Sequence, residues 1–201
     1  MINELKNIIG DRCSAINING EISGINTTSK QMKLCEALSH SFNVPLQINK
    51  DMIGCPGARR SIGIENDDQK LALFISENTK IPEPFIMEAF ENIPMLDSNF
   101  SHLNLGITEE IEKLLSPDIF VAYVAPSKIT QIMHVFAQQN IHVVIPPYSL
   151  LSVCGNVIAN TYINKIPSIS FGCPESRKHG GVQNDEVVVG VPANMVKYLL
   201  K

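Results

Sequence analysis

Tryptophan is absent from this chain, and aromatic residues make up only 6% of its 201 positions. So few flat rings leave no surface on which nucleic-acid bases could stack. A basic stripe is missing too: 16 Lys and Arg stand against 20 Asp and Glu, for a net charge of −4. Without a positive face, nucleic acid and anionic membrane are excluded as main partners. No run approaches the roughly 20 apolar residues of a membrane-spanning helix. The opening Met1 to Lys6 has no basic region followed by a long apolar run, so no secretory signal is expected. The five cysteines are odd in number and too few for a disulfide scaffold in a chain of this length. Reduced thiols in a cytoplasmic setting are therefore expected, and the glycosylation-like triplets at Asn26 and Asn99 carry no meaning there. Against these absences, 44% apolar and 18% charged residues are enough to bury a full core.

The expected fold class is α/β, built as one domain of two or three layers. Leu5, Ile8 and Ile9 have helical spacing, while the remainder of the first 28 residues stays unassigned, an N-terminal extension or helix. Thr28 with Gln31 resembles a capping box and predicts a helix over residues 29–42 that carries Cys35, with Met32 and Phe42 on the same face. A strand is expected over 44–49, followed by a loop at Gly54-Cys55-Pro56-Gly57. Residues 71–77 and 84–91 read as helical or mixed. Residues 118–124 (DIFVAYV) suit a buried strand. Pro126 opens a helix to about residue 139, with Ile129, Ile132, Met133 and Phe136 on one stripe. A strand at 141–145, a helix from Pro147 to Tyr162 carrying Cys154, strands at 168–171 and 187–191 and a closing helix at 193–200 complete the alternation.

The most specific feature is an internal repeat. Residues 54–68, GCPGARRSIGIENDD, align without a gap to residues 172–186, GCPESRKHGGVQNDE, with seven of fifteen positions identical at an offset of 118. Cys35 precedes Cys55 by 20 residues, and Cys154 precedes Cys173 by 19. Each half, 29–115 and 116–201, thus reads as a cysteine on a helix, then a strand, then a Gly-Cys-Pro loop with basic residues behind. A duplicated unit packed about a pseudo-twofold axis would bring Cys35, Cys55, Cys154 and Cys173 to one site.

Four thiolates suit an iron–sulfur cluster or a tetrahedral zinc. Structural zinc sites favour cysteines paired two to four residues apart, and these are absent, so the cluster ranks above zinc. Proline after each loop cysteine stiffens the turn, and nearby cations favour thiolate. Arg59 and Arg177 match across the repeat. They either grip an anionic substrate or brace the loops against Asp67 and Asp185. Arg60, Lys178 and His179 are further candidates for anion binding, His179 standing opposite Ser61. Cys13 has no counterpart and reads as incidental. A phosphatase loop, a phosphate-binding glycine loop, a dinucleotide fingerprint and Cys-x-x-Cys are all missing.

The segments MKLCEAL around Cys35, IGCPGARRSIGI around Cys55, PDIFVAYVAP, and SVCGNVIANTYINKIPSISFGCPESRKHGGVQNDEVVVGVP resemble the prokaryotic domain-of-unknown-function family 169, also called ArCR, over about residues 30–200. That family is common in archaea and anaerobic bacteria. The resemblance implies a cytosolic protein that keeps cysteines at 35, 55, 154 and 173, and it brings no reaction with it. The functional expectation is a cysteine-ligated iron–sulfur protein for electron transfer or small-substrate activation. Its partner would be a redox protein or an anionic small molecule, and homo-oligomerisation stays open. The alternatives are a metal-free binding or accessory module for an anionic small molecule and a structural zinc protein.

Overall fold

The computed structural model describes residues 2–20, 25–97, 99, 101–106 and 116–200. At its centre is a seven-stranded sheet formed by β1 (Cys13–Ile18), β2 (Asn26–Thr27), β3 (Leu46–Asn49), β4 (His102–Gly106), β5 (Ile119–Val124), β6 (Ser168–Ser170) and β7 (Val187–Pro192). The strand order is β2-β3-β4-β1-β5-β7-β6. The β2–β3 pair is parallel and all the others are antiparallel. Outward from the central β1–β5 pair, β4 and β3 lie on one side and β7 and β6 on the other.

Alternation along the strands divides the core in two. Ile119, Val121 and Tyr123 of β5 face one layer with Ile16, Leu103, Leu105 and Val188. Phe120, Ala122 and Val124 face the other with Cys13, Ala15, Val187, Val189 and Val191. Because β5 is covered on both faces, all six of its residues are buried. The first face is roofed by α2 (Leu34–Ser41), α3 (Pro56–Ser61), α4 (Asp68–Thr79), α5 (Glu83–Glu91) and a π-helical segment, Ser152–Ala159. Helices α1 (Ile2–Ile9), α6 (Pro126–Gln138) and α9 (Val196–Leu199) cover the second. The short helices α7 (Asn160–Asn164) and α8 (Pro174–Lys178) complete the chain. The result is a three-layer α/β sandwich.

Several expectations need correction. Strand β1, inside the segment left unassigned from sequence, is central in the sheet. The helix carrying Cys35 starts at Leu34 rather than near residue 29, because the working cap is the Glu36 carboxylate accepting from the Lys33 N–H at 3.4 Å. Thr28 instead closes a local turn by accepting from the Lys30 N–H. Met32 lies before the helix and bridges Ile53. Proline at N1 starts α3 directly after Cys55, so the expected loop becomes a helix entry. Residues 141–145 form no strand: their ladder is the single bridge Val144–Ser168. The helix expected from Pro147 is broken by left-handed backbone at Tyr148, Ser149 and Leu151 and continues as the π-helical segment.

Candidate functional site

The π-helical segment places Cys154. The N–H groups of Gly155 and Asn156 both reach the Leu151 carbonyl, at 2.8 and 3.0 Å, which widens the turn. Asn156 Nδ2 donates to the Leu150 carbonyl and fills the bonding that the wide turn leaves open. All eight residues of the segment are buried. Glycine is required at 155, since a Cβ there would stand 2.5 Å from Ile93 Cγ2 and 3.0 Å from Ser61 Oγ. That close approach seats Cys154 against α3, beside Ser61, whose hydroxyl donates to the Gly57 carbonyl at 2.8 Å.

Cys55 and Cys173 are placed alike. Each is the residue before a short helix, with Pro56 or Pro174 at the first helical position. The carbonyl of each accepts from the N–H four residues on, Arg59 to Cys55 at 2.9 Å and Arg177 to Cys173 at 3.1 Å. At Cys173, Ser176 Oγ accepts from the Cys173 N–H and donates to the Cys173 carbonyl, both at 2.9 Å. Cys35, on the buried face of α2, lies against α8, with its thiol 3.8 Å from the Glu175 carbonyl it faces. Gly180 permits this packing: a Cβ there would be 2.8 Å from Cys35 Cβ.

The four repeat-related cysteines are electrostatic neighbours. Burial first, then Cys173 and Cys55, push the Cys35 thiol up to about 12. Cys154 is raised well above its ordinary value, first by burial and then by Cys55, Cys173 and Cys35. Both thiols are therefore protonated at neutral pH in the metal-free chain. Cys55, Cys154 and Cys173 line a cavity of about 370 Å³, walled on its apolar side by Leu71, Phe74 and Ile75 of α4. The Lys33–Glu175 ion pair joins α2 to α8 at its edge. Among the described residues, no three His, Cys, Asp or Glu side chains stand close enough to hold a single metal ion. Cys13 lies apart from this group, in the core on the opposite face of the sheet.

The basic candidates are engaged internally. Arg59 donates to Glu65 at 2.5 Å and to the Ile53 carbonyl at 3.3 Å. Arg177 donates to the carbonyls of Gln183 and Phe171, at 2.6 and 2.5 Å. Ile53 and Phe171, like Glu65 and Gln183, are separated by the same 118 positions as the two arginines. The two arginines thus reach matched positions, one of them through the Glu65 carboxylate where the other uses the Gln183 carbonyl, and neither uses Asp67 or Asp185. Arg60 is buried, binds Asp68 through two nitrogens at 2.7 and 3.0 Å, and donates to the carbonyls of Ile93 and Phe90. Lys178 is exposed, and His179 faces Glu175 at 3.7 Å.

Sequence reasoning passed over Tyr123. It is buried on β5 in the same core layer as Cys35 and Cys154, and its hydroxyl has no hydrogen-bond partner. The apolar run around it gave no signal, because one hydroxyl within DIFVAYV does not alter the strand pattern. Ser61 and Ser176 carried only the weak signal of lying close behind the two loop cysteines.

These features define a three-layer α/β protein with a cavity lined by three of its cysteines, two of them at matched Cys-Pro helix starts. A family model described as Uncharacterised ArCR, domain of unknown function 169, matches residues 18–201, and the chain belongs to that family. The uncharacterized protein MJ0308 of Methanocaldococcus jannaschii is 36% identical over 50 residues, 25% of this chain and 22% of that protein. The chain therefore spans less than a quarter of the length of that curated relative. No solved structure matches. No described helix is long and apolar enough to cross a membrane.

Proposed function

We propose that this chain is an iron–sulfur protein in which Cys35, Cys55, Cys154 and Cys173 each supply one thiolate, serving electron transfer or the activation of a small substrate. The observation that carries the reading is that Cys55, Cys154 and Cys173 line one cavity, with Cys35 as their electrostatic neighbour. Zinc at about 2.3 Å from each sulfur requires ligand sulfurs roughly 3.8 Å apart, whereas a cluster takes one thiolate per iron and spreads them wider. That places zinc behind the cluster as an occupant. When bound, the cluster supplies reversible electron transfer.

The chain's own residues have definable parts in this reading. Cys35 and Cys154 must surrender their protons, so loading releases protons and improves as pH rises. Pro56 and Pro174 stiffen the entries, while Arg59 and Arg177 hold the loops by their carbonyls. With both arginines so engaged, they are not the anchors a metal-free anion module would need.

We read the chain, further, as one unit built twice. This rests on the strand order about the β1–β5 pair, on the matched Cys-Pro helix starts, and on the arginine bonds to carbonyls at the same offset. Gly63 and Gly181, also 118 apart, both adopt left-handed backbone, at φ 73° and 69°. On this reading the first copy reaches back to β1, the counterpart of β5.

The test is anaerobic reconstitution with iron and sulfide. A brown protein holding about four irons per chain is expected, and its colour is lost in the Cys55→Ser/Cys173→Ser variant. A folded but colourless, iron-free wild-type chain refutes the reading. Stabilisation of that chain by phosphates or carboxylates in a thermal-shift screen would favour the metal-free module instead.

A further inference from the structure

The cavity under α4 carries an inference that needs no metal. Gly57 and Glu175 each follow a loop cysteine by two residues, and both line the cavity. So do Lys33 and Leu151, which each stand directly before a helical segment carrying a cysteine. Both pairs are 118 positions apart, the offset of the repeat. Leu151 is one residue further from Cys154 than Lys33 is from Cys35, and the wide π-helical turn takes up that residue. The contacts correspond as well. Lys33 forms an ion pair with Glu175, while Leu151 covers Gly57 so closely that a Cβ there would be 2.4 Å from Leu151 Cδ2. One of two matched contacts is thus ionic and the other apolar, so the cavity is polarised.

Its walls fit a ligand with a charged head and an apolar body. Phe74, beside Leu71 and Ile75 on the apolar side, is left 52% exposed. Leu151 lines the cavity in left-handed backbone at φ 48°, and Tyr148 and Ser149 before it are left-handed too. Strain of this kind at non-glycine residues gathers where ligands are gripped. At about 370 Å³ the space has the size of a small-molecule site. The ion pair selects the head. A lone anion meets Lys33 but also the Glu175 carboxylate, and a lone cation meets Glu175 but also the Lys33 ammonium. A head carrying both signs sets each charge against its opposite without separating the pair. Both side chains are partly exposed, and an ammonium with three donors and a carboxylate with two oxygens have capacity beyond each other.

We propose that this cavity binds a free α-amino acid with an apolar side chain. The ligand carboxylate lies on Lys33, its ammonium on Glu175, and its side chain against Phe74, Leu71, Ile75 and Leu151.

The test is a heteronuclear NMR titration of the reduced chain with L-phenylalanine, 3-phenylpropanoate, 2-phenylethylamine and glycine. Phenylalanine should shift the amides around the cavity with a Kd of about 1 mM or tighter. The other three lack the ammonium, the carboxylate or the ring, and each should bind about tenfold more weakly. Lys33→Met, Glu175→Gln and Phe74→Ala should each weaken phenylalanine about tenfold, and their ligand-free spectra report whether they fold. Phe74→Ala removes only an exposed ring, so it tests the site even if an ion-pair variant unfolds. No shifts at about 10 mM phenylalanine overturn the proposal. So does equal affinity for phenylpropanoate or phenylethylamine, which would make the head a single charge, and so does wild-type affinity in every folded variant. The iron–sulfur reading fails separately: a chain that takes up iron but no phenylalanine overturns this inference alone, and one that binds phenylalanine but no iron refutes that reading alone.

Discussion

Cys13 offers a test of the core that is independent of the proposed site. It is fully buried on β1, opposite Ala122. Burial raises its thiol from 9.0 to about 12, with Lys6 pulling slightly back. In the unfolded chain the thiol ionises near its ordinary value, while the native one keeps its proton. The native state thus binds more protons than the unfolded state between about pH 9 and 12, and stability falls as pH rises through that window. At pH 10 an unfolded thiol with a pKa of 9.0 gains about 1.4 kcal/mol from ionisation, and at pH 8 under 0.1 kcal/mol. Cys13 alone should therefore remove about 1.3 kcal/mol of stability between these pH values. Cys35, raised to about 12, should remove a similar amount, and Cys154 acts in the same direction. Urea unfolding of the reduced, chelator-treated chain at pH 8 and pH 10 measures the loss, with Cys13→Ala as the comparison. The variant will start lower because of its cavity, yet should lose about 1.3 kcal/mol less than wild type between the two pH values. Equal losses in the two proteins would refute the desolvated, protonated thiol.

Two further perturbations address how the site is held. Arg60→Met leaves the carbonyls of Phe90 and Ile93 and the Asp68 carboxylate without their donor, and should cost about 3 kcal/mol in urea unfolding; a loss under 1 kcal/mol would mean water replaces it. Gly180→Ala sets a methyl 2.7 Å from the Ser176 carbonyl and 2.8 Å from Cys35 Cβ. It should destabilise by about 1–3 kcal/mol and separate α2 from α8, read as a lower melting temperature together with faster Cys35 alkylation.

How much was legible follows particular residues. Strand β5 and helix α6 declared themselves, because a six-residue apolar run and a one-sided stripe after proline have few other solutions. Strand β4 was missed: its HLNLG pattern is short, and its buried Asn104 is acceptable only because Gln47 and the Gly20 carbonyl satisfy it. Residues 141–145 have strand composition but find only one bridging partner, since pairing depends on a neighbour that local sequence does not contain.

By itself the sequence determined the alternation of helix and strand, the family, and the division of five cysteines into two matched pairs and one remainder. Those are properties of spacing and residue type, and spacing is local. The tertiary structure decided which cysteines share a layer, because only the sheet separates Cys13 from the other four. It also decided what the arginines do. The backbone carbonyls that receive Arg59, Arg60 and Arg177 carry no signal in residue type and exist as partners only once the loops are folded. Tyr123 is the sharpest case: as one letter in an apolar run it is ordinary, and only folding buries its hydroxyl with no hydrogen-bond partner among the described residues.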